Sequence, residues 1–113
     1  MAVRIRPDKG QGAEHLSALE LLGRVEDLAW SPSGRRLALA SFYRAVIVVF
    51  DVEIDEPTAA SAGRVHLRHH VTFGADGFAA PHGIAFVDDD TMAVANRSGD
   101  AMIVRVPCTP GAE

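Results

Sequence analysis

The sequence alternates short apolar runs with polar breaks that recur about every eight to twelve residues, a spacing typical of consecutive antiparallel strands. Residues 25–30, 35–41 and 45–52 form the first three runs, and residues 81–86, 91–96 and 101–106 form three more. β-branched residues favour strands in these runs. The run at 45–52 is apolar without alternation, which indicates a strand buried on both faces. The pattern therefore predicts an all-β fold.

The first three runs and the last three are two copies of one pattern, 56 residues apart from Trp30 to Phe86. Such self-similarity is the signature of a repeat architecture. The intervening residues 53–63 are acidic, then small and Pro-containing, which predicts a surface loop. The registration aligns Glu26 with His82, Leu28 with Ile84, Ala29 with Ala85 and Trp30 with Phe86.

Each copy has a candidate fourth strand before it, at residues 16–22 and 64–72. The first of these is ambiguous, because residues 14–22 contain strong helix formers with Leu at helical spacing. If both are strands, each copy is an outer strand followed by three inner strands. The predicted organisation is an arm at 1–13, a two-copy unit at 14–107 and a tail at 108–113. Within the unit, the first copy spans about 15–52, the loop 53–63, and the second copy about 64–107.

Two strings in the repeat resemble β-propeller families. Residues 28–38, LAWSPSGRRLA, look like the opening of a blade in WD-repeat and TolB-like propellers. Residues 81–86, PHGIAF, together with VANR at 94–97, are similar to NHL-repeat and gluconolactonase or lactonase-like propellers. The resemblance implies a β-propeller-like fold of two tandem four-stranded antiparallel blades, which is a partial propeller.

Two blades are fewer than the roughly four to eight of a closed ring. A blade buries its apolar faces on its neighbours, so two blades alone leave two such faces exposed. We therefore expect self-association, for which cyclic symmetry requires a head-to-tail contact that closes, or a second protein chain that completes the propeller. The third alternative is that the chain is a fragment or remnant of a longer propeller.

Composition and net charge limit the kinds of partner that we expect for this protein. Apolar residues make up 48% of the 113 residues and charged residues 23%, which indicates a folded globular protein. The net charge of -4 and the scattered basic residues predict no nucleic-acid partner. No run of about 18 apolar residues predicts a membrane span, and no leader pattern is present at the start, so we expect no membrane association and a cytoplasmic location. The single cysteine, Cys108, excludes an intrachain disulfide framework.

The candidate metal ligands are Glu26 and His82. In gluconolactonase-like propellers the residue before the Gly of the P-x-G turn points into the central channel, where Glu, Asn and Asp hold a divalent metal. The resemblance places His82 in that slot in the second copy and Glu26 in the first. Carboxylate and imidazole suit zinc or a similar ion, although the family's Asn and Asp are missing here. The alternative interpretation is that both residues are polar turn or channel-lining residues.

Other polar clusters have structural explanations. His66, Arg68 and His70 would share one face of a strand and His69 the other, and charge on a solvated edge strand prevents unwanted pairing. The acidic run at 88–90 fits a hairpin turn.

No segment contains a catalytic motif, so the catalytic residues are unknown and no cofactor is expected apart from a divalent metal. The predicted function is a non-catalytic propeller-type scaffold, a module that binds another protein or a small ligand. The alternative is a metal-dependent, lactonase-like hydrolase with its site in the channel near Glu26 and His82.

Overall fold

The computed structural model describes residues 22–107, and its regular structure consists of β-strands. The strands form a four-stranded antiparallel sheet in the order β1-β2-β3-β4 and a three-stranded one in the order β5-β6-β7. The all-β prediction is confirmed. The strands are β1 (Val25–Trp30), β2 (Arg36–Ser41), β3 (Val46–Asp55), β4 (Arg64–Phe73), β5 (Pro81–Asp88), β6 (Thr91–Asn96) and β7 (Ala101–Arg105).

Tight turns join β1 to β2 and β5 to β6. The turn between β1 and β2 closes with a hydrogen bond of 2.9 Å from Gly34 N to Ser31 O. Gly34 has φ of 75°, a conformation that glycine adopts without steric cost. The turn between β5 and β6 closes on the acidic run, where Asp90 N donates to Asp88 Oδ1 at 2.8 Å. The turn predicted for residues 88–90 is therefore present.

The strand at 64–73 belongs to the first sheet, which corrects its predicted place at the start of the second copy. Strand β3 continues to Asp55 and then pairs along its length with β4, so the hairpin loop between them is 56–63. Acidic and basic residues lie directly across this hairpin: Asp51 faces Arg68, Glu53 faces His66 and Asp55 faces Arg64. Such cross-strand pairs stabilise local pairing, and the entropy cost of closing a loop grows only slowly with its length.

The second sheet has three strands among the described residues, where the sequence predicted four. Its three strands match β1-β2-β3 in register: Ala38 lies opposite Ala29 and Val49, and Ala93 lies opposite Ala85 and Ile103. The predicted arm at 1–13, the predicted tail at 108–113 and all of the helix-or-strand segment 14–22 except Leu22 lie outside the described residues.

The main core lies between the two sheets. One face of the first sheet contributes Ala38, Ala40, Ile47, Val49 and Val71, all fully buried. The second sheet covers them with buried and half-buried apolar side chains. These are Ile84, Phe86, Met92, Val94, Met102 and Val104.

The opposite face of the first sheet carries a second apolar cluster. Leu37, Val48, Phe50 and Leu67 are buried there, and Leu22 packs with them. The hydroxyl of Ser41 donates to Leu22 O at 2.8 Å, which holds the start of the described chain on this face. The run at 45–52 is therefore buried on both faces of its sheet, as its continuous apolar pattern predicted.

Polar contacts fix the two sheets to each other at their turns. Ile84 N donates to Asp27 Oδ2 at 2.9 Å. Ser33 donates to Asp89 through both its backbone N, at 3.1 Å from Oδ1, and its hydroxyl, on Oδ2. Arg36 Nη1 donates to Asp89 O at 2.7 Å and to Asp90 Oδ1 at 3.1 Å. These bonds join residues more than fifty positions apart and so link the two sheets directly.

Candidate interaction surface

The outer face of the second sheet, which points away from the first, is open to solvent and is apolar except for Thr91 and Arg105 at one end. Alternation along each strand sends one set of side chains into the core and the other set outward. Cross-strand pairing places Ala85, Ala93 and Ile103 in one row of the outward set, with Ala95 and Ala101 in the next. Ile103 is 65% exposed, and Val87, at the irregular end of β5, is 59% exposed. We call these six residues the small-residue face.

The same positions in the first sheet are covered. The strand pairing of the two sheets aligns Ala93 with Ala38 and Ala95 with Ala40, and both residues of the first sheet are fully buried under the second sheet. Ala95 is exposed and Ala93 half-exposed. The aligned alanines differ in exposure because a second sheet covers one pair and not the other; their residue type is the same. The small-residue face therefore has the composition of a sheet–sheet interface without a sheet on it.

A second exposed apolar surface lies on β1. Val25, Leu28 and Trp30 point to the face of the first sheet that carries the Leu22 cluster, and they are 44%, 53% and 43% exposed. We call these three residues the β1 strip. Leu28 and Trp30 align with Ile84 and Phe86, which pack on the first sheet. Ile84 is only 8% exposed. In the second sheet, the side chains aligned with Leu28 and Trp30 make the contact with the first sheet. The β1 strip has the corresponding side chains, but they are exposed.

A polar cleft of about 300 Å³ lies over the β3–β4 hairpin, lined by Asp51, Val52, Glu53, His66 and Arg68. Its charges are paired. His66 Nε2 lies 2.8 Å from Asp55 Oδ2, and Asp51 lies 3.8 Å from both Arg36 Nε and His70 Nδ1. The cleft lies on the edge strand β4, where charged side chains discourage pairing with another strand. Mutual pairing of acids and bases offers no activated nucleophile there.

The histidines of β4 are separated by its two faces and an irregularity. His69 lies opposite Phe50, and its Nε2 bonds Thr72 Oγ1 at 2.9 Å. His70 falls at the shift in register, where its Nε2 bonds Pro107 O at 2.9 Å. Residues 22–107 contain no group of three or more His, Cys, Asp or Glu that could hold a metal ion.

The predicted metal ligands, Glu26 and His82, lie on strands that pack against each other, β1 and β5. Glu26 is an extra residue at the irregularity of β1, and its side chain is 13% exposed. Its Oε1 lies 2.7 Å from Arg24 Nη2, so the two side chains form an ion pair. His82 is exposed beside Pro81, at an irregularity of β5. Structural and catalytic zinc sites use three or four protein ligands. Glu26 and His82 alone would therefore not complete such a site, and further ligands would have to come from elsewhere.

Arg24 also joins an aromatic cluster at the turn between β2 and β3. Its guanidinium lies 4.9 Å from the centre of the Phe42 ring, with Arg97 of the second sheet 5.8 Å from the same ring. Tyr43 accepts a hydrogen bond of 3.3 Å from Arg24 Nη1. The hydrogen bond to Tyr43 and the charge of Glu26 raise the pKa of Arg24, so its guanidinium stays positively charged. With this charge on one side, Glu26 already has a cation partner.

The pKa of one aspartate is shifted at the contact between the sheets. The hydrogen bond from the Ser33 hydroxyl lowers the pKa of Asp89, since a donor stabilises the charged carboxylate. Arg36 contributes in the same direction. The group works as a structural anchor, because both of its oxygens receive bonds from Ser33.

Comparison with known proteins leaves the family open. No protein-family profile matches the chain, and no curated protein or solved structure is significantly similar to it. No helix within residues 22–107 has both the length and the apolar character to cross a membrane.

Sequence reasoning identified the polar candidates but missed the small-residue face. Its signal was present: 93–95 and 101–103 are apolar at every position, so both faces of these strands must be apolar. The run at 45–52 has the same continuous pattern in larger, mostly β-branched residues. Alanine buries less apolar area than these residues and gives a weaker signal.

Proposed function

We propose that this protein is a non-catalytic interaction module of the β-propeller type, which binds another protein chain through the small-residue face. The observation that carries the proposal is the contrast in burial between aligned positions: Ala38 and Ala40 are fully buried under a sheet, whereas Ala93 is half-exposed and Ala95 exposed. A flat apolar sheet face buries its area best under another protein surface.

The propeller assignment rests on the resemblance of residues 28–38 and 81–86 and is supported by the packing of the two meanders. β5 packs on β1 and β2, so the first strands of the two sheets are neighbours. In propellers the first strands of successive blades lie side by side around the central channel. The two-copy unit would then be part of a ring whose remainder comes from other chains.

Crosslinking in the cells that make the protein tests the proposal. A photoreactive residue in place of Ala95 should crosslink to a protein chain, either another copy or a different protein. Ile103→Lys puts a charge at the centre of the small-residue face and should remove the crosslink, because burying an unpaired charge is costly. Ile54→Lys is the control, since Ile54 is a 52% exposed strand residue outside this face. An unchanged crosslink in Ile103→Lys would refute the proposal.

The hydrolase alternative makes a different demand on the protein. It requires stoichiometric bound metal, and it requires that Glu26→Ala or His82→Ala release that metal. If metal content is the same in both variants and the wild type, the alternative has no chemical basis. The ion pair of Glu26 with Arg24 favours the structural interpretation of this carboxylate.

A further inference from the structure

We infer that the chain bound by the small-residue face is a second copy of this protein, which docks head-to-tail through its β1 strip. The inference rests on the proposed function and names the partner and the contact. Leu28 and Trp30 of one copy would lie on Ala85 and Ala93 of the next. Each molecule thus exposes one β1 strip, on the first sheet, and one small-residue face, on the second sheet.

The contact inside the chain is the template for this arrangement. There, Ile84 and Phe86 of β5 pack with Ala29 and Ala38 of the first sheet. Ile84 and Phe86 align with Leu28 and Trp30 in the predicted registration. Ala29 and Ala38 align with Ala85 and Ala93 when the strand pairing of the two sheets is compared. The unused surfaces are therefore the two halves of an interface that the chain already makes once.

Shape supports the match. Where β5 lies against β1 and β2, the large Ile84 and Phe86 pack with the small Ala29 and Ala38, as interdigitated packing requires. A small-residue face against another small-residue face would leave gaps, and two β1 strips would put Leu and Trp side chains against each other. The contact is thus heterologous, with different surfaces on the two partners, and a two-fold dimer through either surface alone is disfavoured.

The cover on the rest of the first sheet is compatible with this docking. Leu37, Val48 and Phe50 are already buried on the face that carries the β1 strip. Within the chain, the backbones of the two sheets approach each other most closely where β5 lies against β1 and β2. β1 aligns with β5, so β1 would take the place of β5 in a contact between two copies. The exposed β1 strip is therefore the surface that such a contact would use.

Light scattering after size exclusion tests the inference with two blocking variants and their mixture. Leu28→Lys blocks the β1 strip, and Ala85→Lys blocks the small-residue face at an exposed position. The wild type should have at least twice the mass of the 12.0 kDa chain. Each variant alone should be a 12.0 kDa monomer, because every contact needs one intact surface of each kind.

The equimolar mixture is the decisive sample. Leu28→Lys retains a small-residue face and Ala85→Lys retains a β1 strip, so one contact can form and the mass should rise to about 24 kDa, twice 12.0 kDa. Ile54→Lys, at 52% exposure against 53% for Leu28, is the matched control and should keep the wild-type mass. Circular dichroism of each variant confirms that it is folded.

A monomeric wild type, a mixture that stays monomeric, or a Leu28→Lys protein of wild-type mass would overturn the inference. None of these results by itself decides the proposed function, which the crosslinking experiment tests separately. If the Ala95 probe still crosslinks to a different protein and Ile103→Lys removes that crosslink, the interaction module stands with another partner. If the face crosslinks to nothing, both fall.

Discussion

At the scale of single residues, the polar side chains that matter most join the two sheets. Asp27, Ser33, Arg36 and Asp89 each make a hydrogen bond across sequence separations of more than fifty residues. Sequence reasoning placed 88–90 in a turn without assigning it a partner. Residue types alone cannot specify that partner, because an exposed Asp in a turn satisfies its own hairpin equally well.

Asp89 should make stability depend on pH. Its pKa is lower folded than unfolded, so its contribution is complete above the ordinary aspartate pKa and is lost as the pH falls through the folded value. Asp89→Asn should therefore be less stable than wild type at roughly pH 6, and the difference should shrink by roughly pH 3. Urea unfolding at both values measures this. Asp100→Asn, in the turn between β6 and β7, is the control; an equal effect there would contradict the prediction.

At the scale of elements, the placement of β4 is the main difference between sequence and structure. Its aligned charges across β3 could have indicated the hairpin, because Asp51, Glu53 and Asp55 alternate on one strand as Arg64, His66 and Arg68 do on the next. The repeat suggested a strand before each copy instead. A long loop at 56–63 hid the local pairing, since a two- to five-residue loop is the usual hairpin signal.

Val71→Ala tests whether β4 is an integral part of the first sheet's core. Val71 is fully buried among Ile47, Val49 and Phe73 at the contact between sheets. Removing its two methyl groups should lower the free energy of unfolding by roughly 2 kcal/mol, through lost burial and the cavity left behind. Chemical denaturation gives the value. Ile54→Ala, at 52% exposure, should change it by less than about 0.5 kcal/mol, and a similarly small loss for Val71→Ala would place β4 outside the core.

At the scale of the whole molecule, the described residues of the two sheets leave the small-residue face and the β1 strip exposed. In the proposed propeller each internal face would pack on the next unit, so the terminal units would be the ones left exposed. The contact between the two sheets therefore suggests what these two surfaces fit.

Head-to-tail association should make thermal stability depend on concentration. Assembly binds the folded chain only, so a roughly hundredfold higher concentration adds up to about 2.7 kcal/mol. That corresponds to a rise in Tm of roughly 10 °C for a domain of this size. Differential scanning fluorimetry across the concentration series measures it. Leu28→Lys should melt at one temperature throughout, and a wild type that does the same would argue against assembly.

The sequence by itself determined the all-β class, the limits of most strands, and the turn at 88–90. These follow from hydrophobic periodicity, β-branched content and turn residues, which act over a few neighbouring positions. The tertiary structure decided that β4 joins the first sheet, that Glu26 pairs with Arg24, and that Ala85 and Ile103 face solvent. Periodicity shows that a strand has two apolar faces, but only the packing of whole sheets decides which face is covered.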